Sequence, residues 1–560
     1  LVRGSSKVIV CESIYPGDIE VLETLKEHTK LEIIYAPLDK NTGLTDISKL
    51  IGLLETHSEG LAAVAFPQIN TLGLLEKVDE LTDLCKKNNI KSIAIIDPMT
   101  LGTGGLKPPS EFGSDGSGSD MIVGEGQHLC LAANFGGPGL GIFGIRYNPK
   151  QKNSIRSSAG RFVGKARDAS GEEAFCMVLS TREQHIRRER ATSNICSNQS
   201  FVATLAGAAL LERGELGLKS TIECSRSHAT KMLSRLCSFE GVEPRFAGGH
   251  FFNEFVLKLP MKACDFISRA ADCGVHAGVN AAKGLRSDED NLIQLFFSDL
   301  HSADDLDALE KVFNSLFKKI DKKVSATDIP AELLRSGPAG LKDFSRDKIK
   351  HYYTQMSEQN ISPDQGIYPL GSCTMKYNPH INDWAASLKG FTDIHPEAPL
   401  EDCQGALEII YHTQNQFCQI TGLPALTTQP MAGAQGELVG LKMIQAYHHD
   451  NGEGEKRNIV LIPRSAHGTN PATATMAGFE TKKVGDQVYG IVTIEACEQG
   501  LMDFSQLEET VKKHGPHIAG IMVTNPNTAG IFESQFKQMG QLIHDAGGLV
   551  YMDGANMNAI

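Results

Sequence analysis

The 560-residue sequence lacks the patterns that mark several large classes of protein. No stretch approaches the ~18 uninterrupted apolar residues of a transmembrane helix, so no membrane span is expected. No C-x-x-C pair occurs among the 13 cysteines, which are scattered from Cys11 to Cys497. This argues against a disulfide framework or a zinc site. The cysteines are therefore expected to be reduced thiols, in a cytoplasm or alternatively in a mitochondrial matrix.

Signatures of hydrolytic and nucleotide-dependent chemistry are missing as well. There is neither G-x-S-x-G nor H-E-x-x-H, and no metal site is predicted. Gly139-x-Gly141-x-x-Gly144 has dinucleotide spacing, but the apolar residues around it are typical of a strand rather than of a helix start. The net charge of −13 argues against nucleic-acid binding as the main activity. The 41% apolar and 22% charged residues are those of an ordinary globular protein.

What the sequence does contain is an internal repeat, because residues 43–76 align without a gap on residues 500–533. The identical pairs include Asp46 with Asp503, Asn70 with Asn527 and Glu76 with Glu533. Both segments have the same predicted strand, turn and helix pattern. A period of about 457 residues is far too long for a solenoid. The repeat predicts two tandem copies of one large α/β domain, with Asp97 and Asp553 at equivalent strand ends.

The end of the second copy has the pattern of a βαβ unit whose last strand carries a carboxylate. An apolar run at 518–523 is followed by a turn, a predicted helix at 535–546 and a second apolar run that ends at Asp553. Ligands of open α/β sheets bind at the carboxyl ends of the strands. A carboxylate there, with small residues such as Ala555 beside it, suits a protonated ring nitrogen. Pyridoxal phosphate needs such a partner in order to act as an electron sink.

Three further motifs are predicted to lie at the same edge. Gly433, Ala434 and Gln435 open a helix whose exposed N–H groups could hold a phosphate, although close helix packing explains them equally well. His467 follows an apolar strand and could stack on the cofactor ring. Asn527 could hold the cofactor's phenolic oxygen, with a turn residue as the alternative.

A hydroxyl-rich loop is the candidate substrate site. It could bind a small carboxylate, and a tight turn is the alternative explanation for its composition. The candidate residues are Ser372, Cys373 and Thr374.

These motifs resemble those of the glycine cleavage system P-proteins. In the second half the resemblance rests on P-L-G-S-C-T-M-K-Y-N-P, A-G-A-Q-G-E, S-A-H-G-T-N-P, T-N-P-N-T and D-G-A-N-M-N-A. In the first half it rests on L-K-P-P, F-G-G-P-G-L-G, I-R-R-E-R-A-T-S-N-I-C-S-N-Q and F-F-N-E-F-V-L-K-L-P. It covers nearly the whole chain, with both halves of the family on one polypeptide.

The resemblance implies a fold and a site. The fold is α/β, with tandem duplicated large domains of the fold-type-I pyridoxal-phosphate transferase kind and a smaller α/β domain between them. Asp553 would pair with the pyridine nitrogen and His467 would stack on the ring. The lysine that binds the cofactor covalently is expected beyond Ile560, so the chain as given is expected to be inactive. In the non-catalytic first copy, Tyr15 stands in place of His467 and Gln127 in place of the lysine.

The resemblance also implies the reaction and its partners. Glycine would be decarboxylated on pyridoxal phosphate, and its aminomethyl group would pass to the lipoyl arm of H-protein. The two halves are expected to pack as a pseudo-dimer or the chain as a homodimer, with residues near Lys107 walling the second site. Another fold-type-I enzyme, such as a desulfurase or amino-acid lyase, is the alternative, although it would not explain the duplication. A non-catalytic binding protein is the third possibility.

The predicted boundaries follow from the repeat and from composition. Residues 1–170 form the first large domain, incomplete at its N-terminus, and residues 366–560 form the second, incomplete at its C-terminus. Residues 171–320 contain a helical segment and a small α/β domain with strands near 251–259 and 292–297. Residues 321–365, rich in charge, Pro and Gly, are predicted to be a linker.

Overall fold

The computed structural model describes residues 4–27, 29–148, 158, 162–178, 197–362, 365–366, 379–484 and 487–557. Within these ranges the chain forms two large open sheets, one small sheet and one hairpin, with helices packed against the sheets. This confirms the predicted α/β class. None of the helices described is both long and apolar enough to cross a membrane.

The first large sheet has six strands in the order β2-β1-β3-β4-β5-β6. All neighbouring pairs are parallel except β5 and β6, which are antiparallel. The central strand β3 is almost completely buried, as expected for a strand covered on both faces. The strands and helices of this unit are β1 (Lys7–Cys11), α1 (Pro16–Lys26), β2 (Glu32–Ala36), α2 (Ile47–Thr56), β3 (Leu61–Pro67), α3 (Val78–Lys87), β4 (Lys91–Ile96), β5 (Met121–Glu125) and β6 (Gly141–Ile145).

The middle of the chain contains a hairpin, a long helix and a small antiparallel sheet. The sheet has the order β11-β12-β10-β9, and its core is built largely from phenylalanine and leucine side chains. The elements are β7 (Val163–Arg167), β8 (Glu173–Met177), α4 (Ser197–Leu236), β9 (Glu243–Pro244), β10 (Glu254–Lys258), α5 (Ala263–Asp272), β11 (Val279–Asn280), α6 (Ala282–Leu285), β12 (Leu292–Phe296) and α7 (Ala303–Leu316).

Two predictions about the middle of the chain need correction. The helical segment expected from residue 172 begins only at Ser197 among the residues described, because Glu173–Met177 pairs with β7 in a hairpin. The predicted linker at 321–365 contains the helix α8 (Arg346–Glu358). The Ser345 side chain caps that helix by accepting from the Lys348 N–H. Charge and Pro–Gly content therefore concealed a capped helix.

The second large sheet has the order β14-β15-β13-β16-β17. Its four strands β15, β13, β16 and β17 are parallel, and β13 and β16 are fully buried. The elements of this half are α9 (His380–Ala386), α10 (Lys389–Thr392), α11 (Gln404–Thr421), α12 (Gly433–Asp450), β13 (Ile459–Pro463), α13 (Thr469–Met476), β14 (Lys482–Val484), β15 (Gln487–Ile494), α14 (Phe504–His514), β16 (Ile518–Thr524), α15 (Phe536–Asp545) and β17 (Leu549–Asp553).

The two sheets are built alike, which confirms the predicted duplication. The order β2-β1-β3-β4 of the first corresponds to β15-β13-β16-β17 of the second. Asp46 caps α2 and Asp503 caps α14 in the same way, each accepting from the backbone N–H three residues later. The loops match as well: Thr71 N–H donates to the Ser13 carbonyl, and Thr528 N–H donates to the Ser465 carbonyl.

The strand register supports one predicted equivalence and corrects another. The matched loop bonds place Tyr15 of the first copy where the second copy has His467. Asp97, however, is not the counterpart of Asp553. The Gln68 N–H donates to the Ile95 carbonyl, and the equivalent Asn525 N–H donates to the Asp553 carbonyl. Asp97 therefore lies two residues further along, where its side chain caps a short turn by accepting from Met99 N–H.

Candidate active site

Three parallel strands of the second sheet end at one edge and bring the candidate residues together. His467 lies in the turn that follows β13, Thr524 ends β16, and Asp553 ends β17. One oxygen of Asp553, one ring nitrogen of His467 and one oxygen of Glu437 lie within 4.8 Å of one another. The predicted meeting of His467 and Asp553 at the strand ends is therefore observed.

Asp553 is held by hydrogen bonds on both carboxylate oxygens. Asn470 Nδ2 donates to Oδ2 over 3.2 Å, and the Ala555 N–H donates to Oδ1 over 3.1 Å. The Thr524 hydroxyl lies 3.1 Å from Asn470 Oδ1 and 3.4 Å from Asp553 Oδ2. Asn470 and Thr524 are buried, and together with the Ala555 N–H they fix the orientation of the carboxyl group. Asp553 is thus a carboxyl group of fixed orientation at the strand end.

His467 is oriented by its neighbours in the turn. Its backbone N–H donates to Thr524 Oγ1 over 2.9 Å. Its Nδ1 lies 2.7 Å from Thr469 Oγ1, and the Thr469 N–H donates to the same nitrogen over 3.2 Å. Two contacts on one ring nitrogen fix the plane of the imidazole.

Glu437 is a buried carboxyl group on the inner face of α12. The Thr469 hydroxyl forms a short hydrogen bond with its Oε1. Burial, and then the nearby charge of Asp553, raise the pKa of Glu437 to about 7, although the hydroxyls of Thr469 and Thr473 and the Asn470 amide oppose this rise when they donate to the carboxylate form. Thr473 lies near enough to lower the pKa, yet Oε2 is buried and makes no hydrogen bond within the described residues. A carboxyl group in this setting can carry a proton near neutral pH.

The N-terminus of α12 faces the same edge. Gly433 and Gln435 are exposed in the first turn of this 18-residue helix. The first N–H groups of a helix have no partner within the helix and bind anions. Gly440 allows α12 to pack closely on the sheet, because a Cβ at that position would lie 2.5 Å from the Tyr551 ring of β17. The predicted phosphate cradle of Gly433, Ala434 and Gln435 is therefore a helix start beside the site.

Asn527 does not have the predicted role. Its Nδ2 donates to the Gly500 carbonyl and to Glu533 Oε1, while its Oδ1 accepts from the N–H groups of Ala529 and Ile531. Asn70 makes the matching four bonds in the first copy. Both donors and both acceptor positions of the amide are used inside the turn, so Asn527 is the turn residue that was the alternative.

The other predicted residues have mixed outcomes. Ser372, Cys373 and Thr374 lie outside the described residues. The Ala555 N–H supports Asp553, and a contact of Ala555 with a cofactor stays a prediction. Three close donor side chains are enough to hold a metal ion in principle, so the predicted absence of a metal site also stays a prediction.

Sequence reasoning missed four residues of the site, namely Glu437, Thr469, Asn470 and Thr524. All four stand inside motifs quoted above, and one of them gave a signal of its own. Glu437 shares one face of α12 with the buried Leu441 and Ile444, and a lone carboxyl on an apolar helix face is unusual. Asn470 and Thr524 show no comparable signal, because their roles depend on the meeting of two strand ends.

The matching edge of the first copy has different chemistry. Tyr15 replaces the histidine, and His128 Nε2 lies 2.8 Å from Asp97 Oδ1. The Gln127 side chain donates to the Ala132 carbonyl over 2.9 Å, and an amide cannot bind a cofactor covalently. This agrees with the expectation that the first copy is not catalytic.

Comparison with known proteins gives the family. A match to the family described as "Glycine cleavage system P-protein" extends over residues 2–313. The chain belongs to the glycine cleavage system P-protein family. A glycine dehydrogenase (decarboxylating) of Pelagibacter ubique is 33% identical over 562 residues, 99% of this chain and 54% of the relative. The one of Photobacterium profundum is 31% identical over 574 residues, again 99% of this chain and 54% of the relative.

This P-protein family member therefore spans about half the length of the curated relatives that it matches. Among solved structures, an inhibitor-bound glycine decarboxylase (P-protein) of the glycine cleavage system is 29% identical, with a TM-score of 0.48. The match covers 56% of this chain and 66% of that one. The family is one of pyridoxal-phosphate enzymes, in agreement with the cofactor that the sequence predicts.

Proposed function

We propose that the edge formed by Glu437, His467 and Asp553 is the cofactor site of a glycine decarboxylase. The observation that carries the proposal is the meeting of a fixed carboxylate, an oriented imidazole and an open helix N-terminus within one strand edge. The donor set fits pyridoxal phosphate, which presents a basic ring nitrogen, an aromatic face and a phosphate. When bound, the cofactor supplies an electron-accepting ring for decarboxylation.

Each residue then has a separate task. Asp553 would hold the proton on the ring nitrogen through a charge-assisted hydrogen bond, worth about 1.5–3 kcal/mol. Asn470 and the Ala555 N–H hold that carboxylate in place. His467 would cover one face of the ring, and the first N–H groups of α12 would hold the phosphate.

The substrate and partner are proposed from family membership. The relatives are named glycine dehydrogenase (decarboxylating), so glycine is the proposed substrate. Transfer of the aminomethyl group to the lipoyl arm of H-protein is the proposed second half of the reaction. The hydroxyl-rich loop with Ser372, Cys373 and Thr374 is the proposed binding place for the glycine carboxylate. A cytoplasmic location stays a prediction.

Residues of the first half are proposed to line the cofactor site of the second half, as the two subunits of a dimer would. The Phe135 N–H donates to the Ile394 carbonyl over 2.9 Å. A Cβ at Gly139 would lie 3.0 Å from the terminal methyl group of Met431, two residues before the helix start at Gly433. The loop at 134–140 is thus the better candidate wall. Lys107, the predicted one, forms an ion pair with Asp79 inside the first copy. The domain boundaries given above are proposed to hold, except that the linker contains α8.

Titration with pyridoxal phosphate tests the proposal. The unsubstituted chain should bind one cofactor per chain, and pyridoxal without its phosphate should bind at least tenfold more weakly. His467→Ala and Asp553→Asn should each weaken binding, whereas Asp545→Asn, an exposed aspartate at the end of α15, should not. Equal affinity of all four proteins, or no saturable binding, would overturn the proposed site.

A further inference from the structure

The hydrogen bonds around His467 indicate which of its two ring nitrogens carries the imidazole proton. The Thr469 N–H points at His467 Nδ1 over 3.2 Å, so this nitrogen offers a lone pair and carries no hydrogen. The imidazole proton is then on Nε2. Because Nδ1 also lies 2.7 Å from Thr469 Oγ1, the hydroxyl must donate its single proton to the ring.

The same hydroxyl is also in short contact with Glu437 Oε1. Having given its proton to the ring, Thr469 Oγ1 can only accept there, and the donor must be a protonated Glu437. The reverse arrangement needs Nδ1–H to face the Thr469 N–H, which is repulsive. We propose that Glu437 is a neutral carboxylic acid that, through Thr469, holds His467 in its Nε2–H form and fixes the ring for its task at the site.

The charges around Glu437 support this assignment. Asp553 on β17 is the carboxyl group facing it, and Asp553 accepts from Asn470 Nδ2 and from the Ala555 N–H. The Tyr551 hydroxyl, also on β17, is the other titratable group from that strand, and the pKa of Tyr551 is raised by burial and by both carboxyl groups. Among the described residues, His467 also faces this region from the turn before α13. Glu437 is buried and lies within 4.8 Å of the Asp553 carboxyl group, and both features favour the neutral form of Glu437.

The arrangement makes Glu437 a positioning residue with a pH-dependent effect. When Glu437 loses its proton, the Thr469 hydroxyl turns towards the carboxylate and leaves the ring. The contact between the Thr469 N–H and His467 Nδ1 remains. The consequence for the cofactor rests on the proposed function, but the position of the proton does not.

The proton on Glu437 is measured on the ligand-free chain. A wrong proton assignment can therefore be told apart from a wrong assignment of the cofactor site. Infrared difference spectra between the unsubstituted chain and Glu437→Gln should contain the band of a protonated carboxyl group at pH 6, and that band should be lost by pH 8. In ¹⁵N-histidine NMR spectra at pH 6, assigned with His467→Gln, the His467 Nδ1 should have the shift of an unprotonated nitrogen. Glu437→Gln should keep that shift at both pH values, because its amide still donates to Thr469.

Two substitutions at Thr469 separate positioning from folding. Thr469→Ser should retain the response of His467 to pH, and Thr469→Val should lose it while the Thr469 N–H contact remains. Glu455→Gln, an exposed glutamate beyond the same helix, is the matched control and should behave like the unsubstituted chain. A proton on Nδ1 at pH 6, or no protonated-carboxyl band at that pH in the unsubstituted chain, would overturn the inference even if no variant folded.

Discussion

Asn470 Nδ2 donates to Asp553 Oδ2 over 3.2 Å, and both side chains are buried. The bond joins the first turn of α13 to the last residue of β17, which are more than eighty residues apart in the chain. Since Asn470 also accepts from the Thr524 hydroxyl, one amide links the ends of two neighbouring strands to the helix that follows a third. The charge at the site is therefore oriented by residues from separate segments.

Removing this amide should destabilise the fold. Asn470→Ala removes one hydrogen-bond partner from each of the buried Asp553 and Thr524, and an unsatisfied buried polar group costs about 1–3 kcal/mol. The free energy of unfolding by urea should fall by that amount. Asn458 lies just before β13, away from the site. Asn458→Ala therefore gives the change in the free energy of unfolding for the loss of an amide elsewhere in the same half. An Asn470→Ala protein as stable as the unsubstituted chain would show that the bond is not formed.

The equivalent turns at Asn70 and Asn527 should lose similar amounts of free energy of unfolding when either asparagine is replaced. Each amide makes four bonds inside its own turn, so Asn70→Ala and Asn527→Ala should each destabilise by about 1–3 kcal/mol. Cofactor affinity measured well below the unfolding transition should change little in either variant. If Asn527→Ala alone abolished binding in a folded protein, the original assignment of Asn527 to the cofactor would be correct after all.

Glycine substitutions in α12 test how closely the helix packs on the sheet. Gly440→Ala puts a Cβ 2.5 Å from the Tyr551 ring and should cost about 1–3 kcal/mol through overpacking. Gly436→Ala, in the same helix, meets nothing within 4 Å and should instead stabilise by up to about 1 kcal/mol through helix propensity. Thermal unfolding of the two variants gives the sign of each change, and equal signs would contradict the observed packing.

Glu437 should make stability depend on pH. Burial raises its pKa from 4.5 to about 7, so the folded chain binds the proton more tightly than the unfolded chain does. This contribution is complete below about pH 4.5, decreases as the pH rises towards 7, and is absent above the folded pKa. The decrease amounts to at most roughly 3 kcal/mol. Urea unfolding at each pH gives the free energy of unfolding as a function of pH. Between pH 5 and 7 this free energy should decrease less in Glu437→Gln than in the unsubstituted chain, by the contribution of Glu437. An unchanged slope would contradict the buried acid.

The sequence allowed much of the fold to be predicted because the repeat and the apolar runs are local signals. The strand ends at Thr524 and Asp553 follow from an alternation of apolar runs and turns, and the helix start at Gly433 follows from its small residues. Asp97 was paired wrongly with Asp553. The strand register shows that Ile95, two residues earlier, is the counterpart of Asp553, and the sequence alone does not reveal this shift. Asn527 was misassigned because an asparagine that completes a turn and one that faces a ligand look the same in sequence. Asn470 could not be found, since its partner lies on a distant strand.

The most direct test is the protonation state of the cofactor's ring nitrogen on the protein. With ¹⁵N-labelled pyridoxal phosphate bound to the unsubstituted chain, the NMR shift should be that of a protonated pyridine nitrogen held by Asp553. With Asp553→Asn the same nitrogen should have the shift of an unprotonated ring, and affinity should fall by about tenfold, as expected for a lost charge-assisted hydrogen bond. A ring nitrogen in the same state in both proteins would contradict the assignment of this strand edge as the cofactor site.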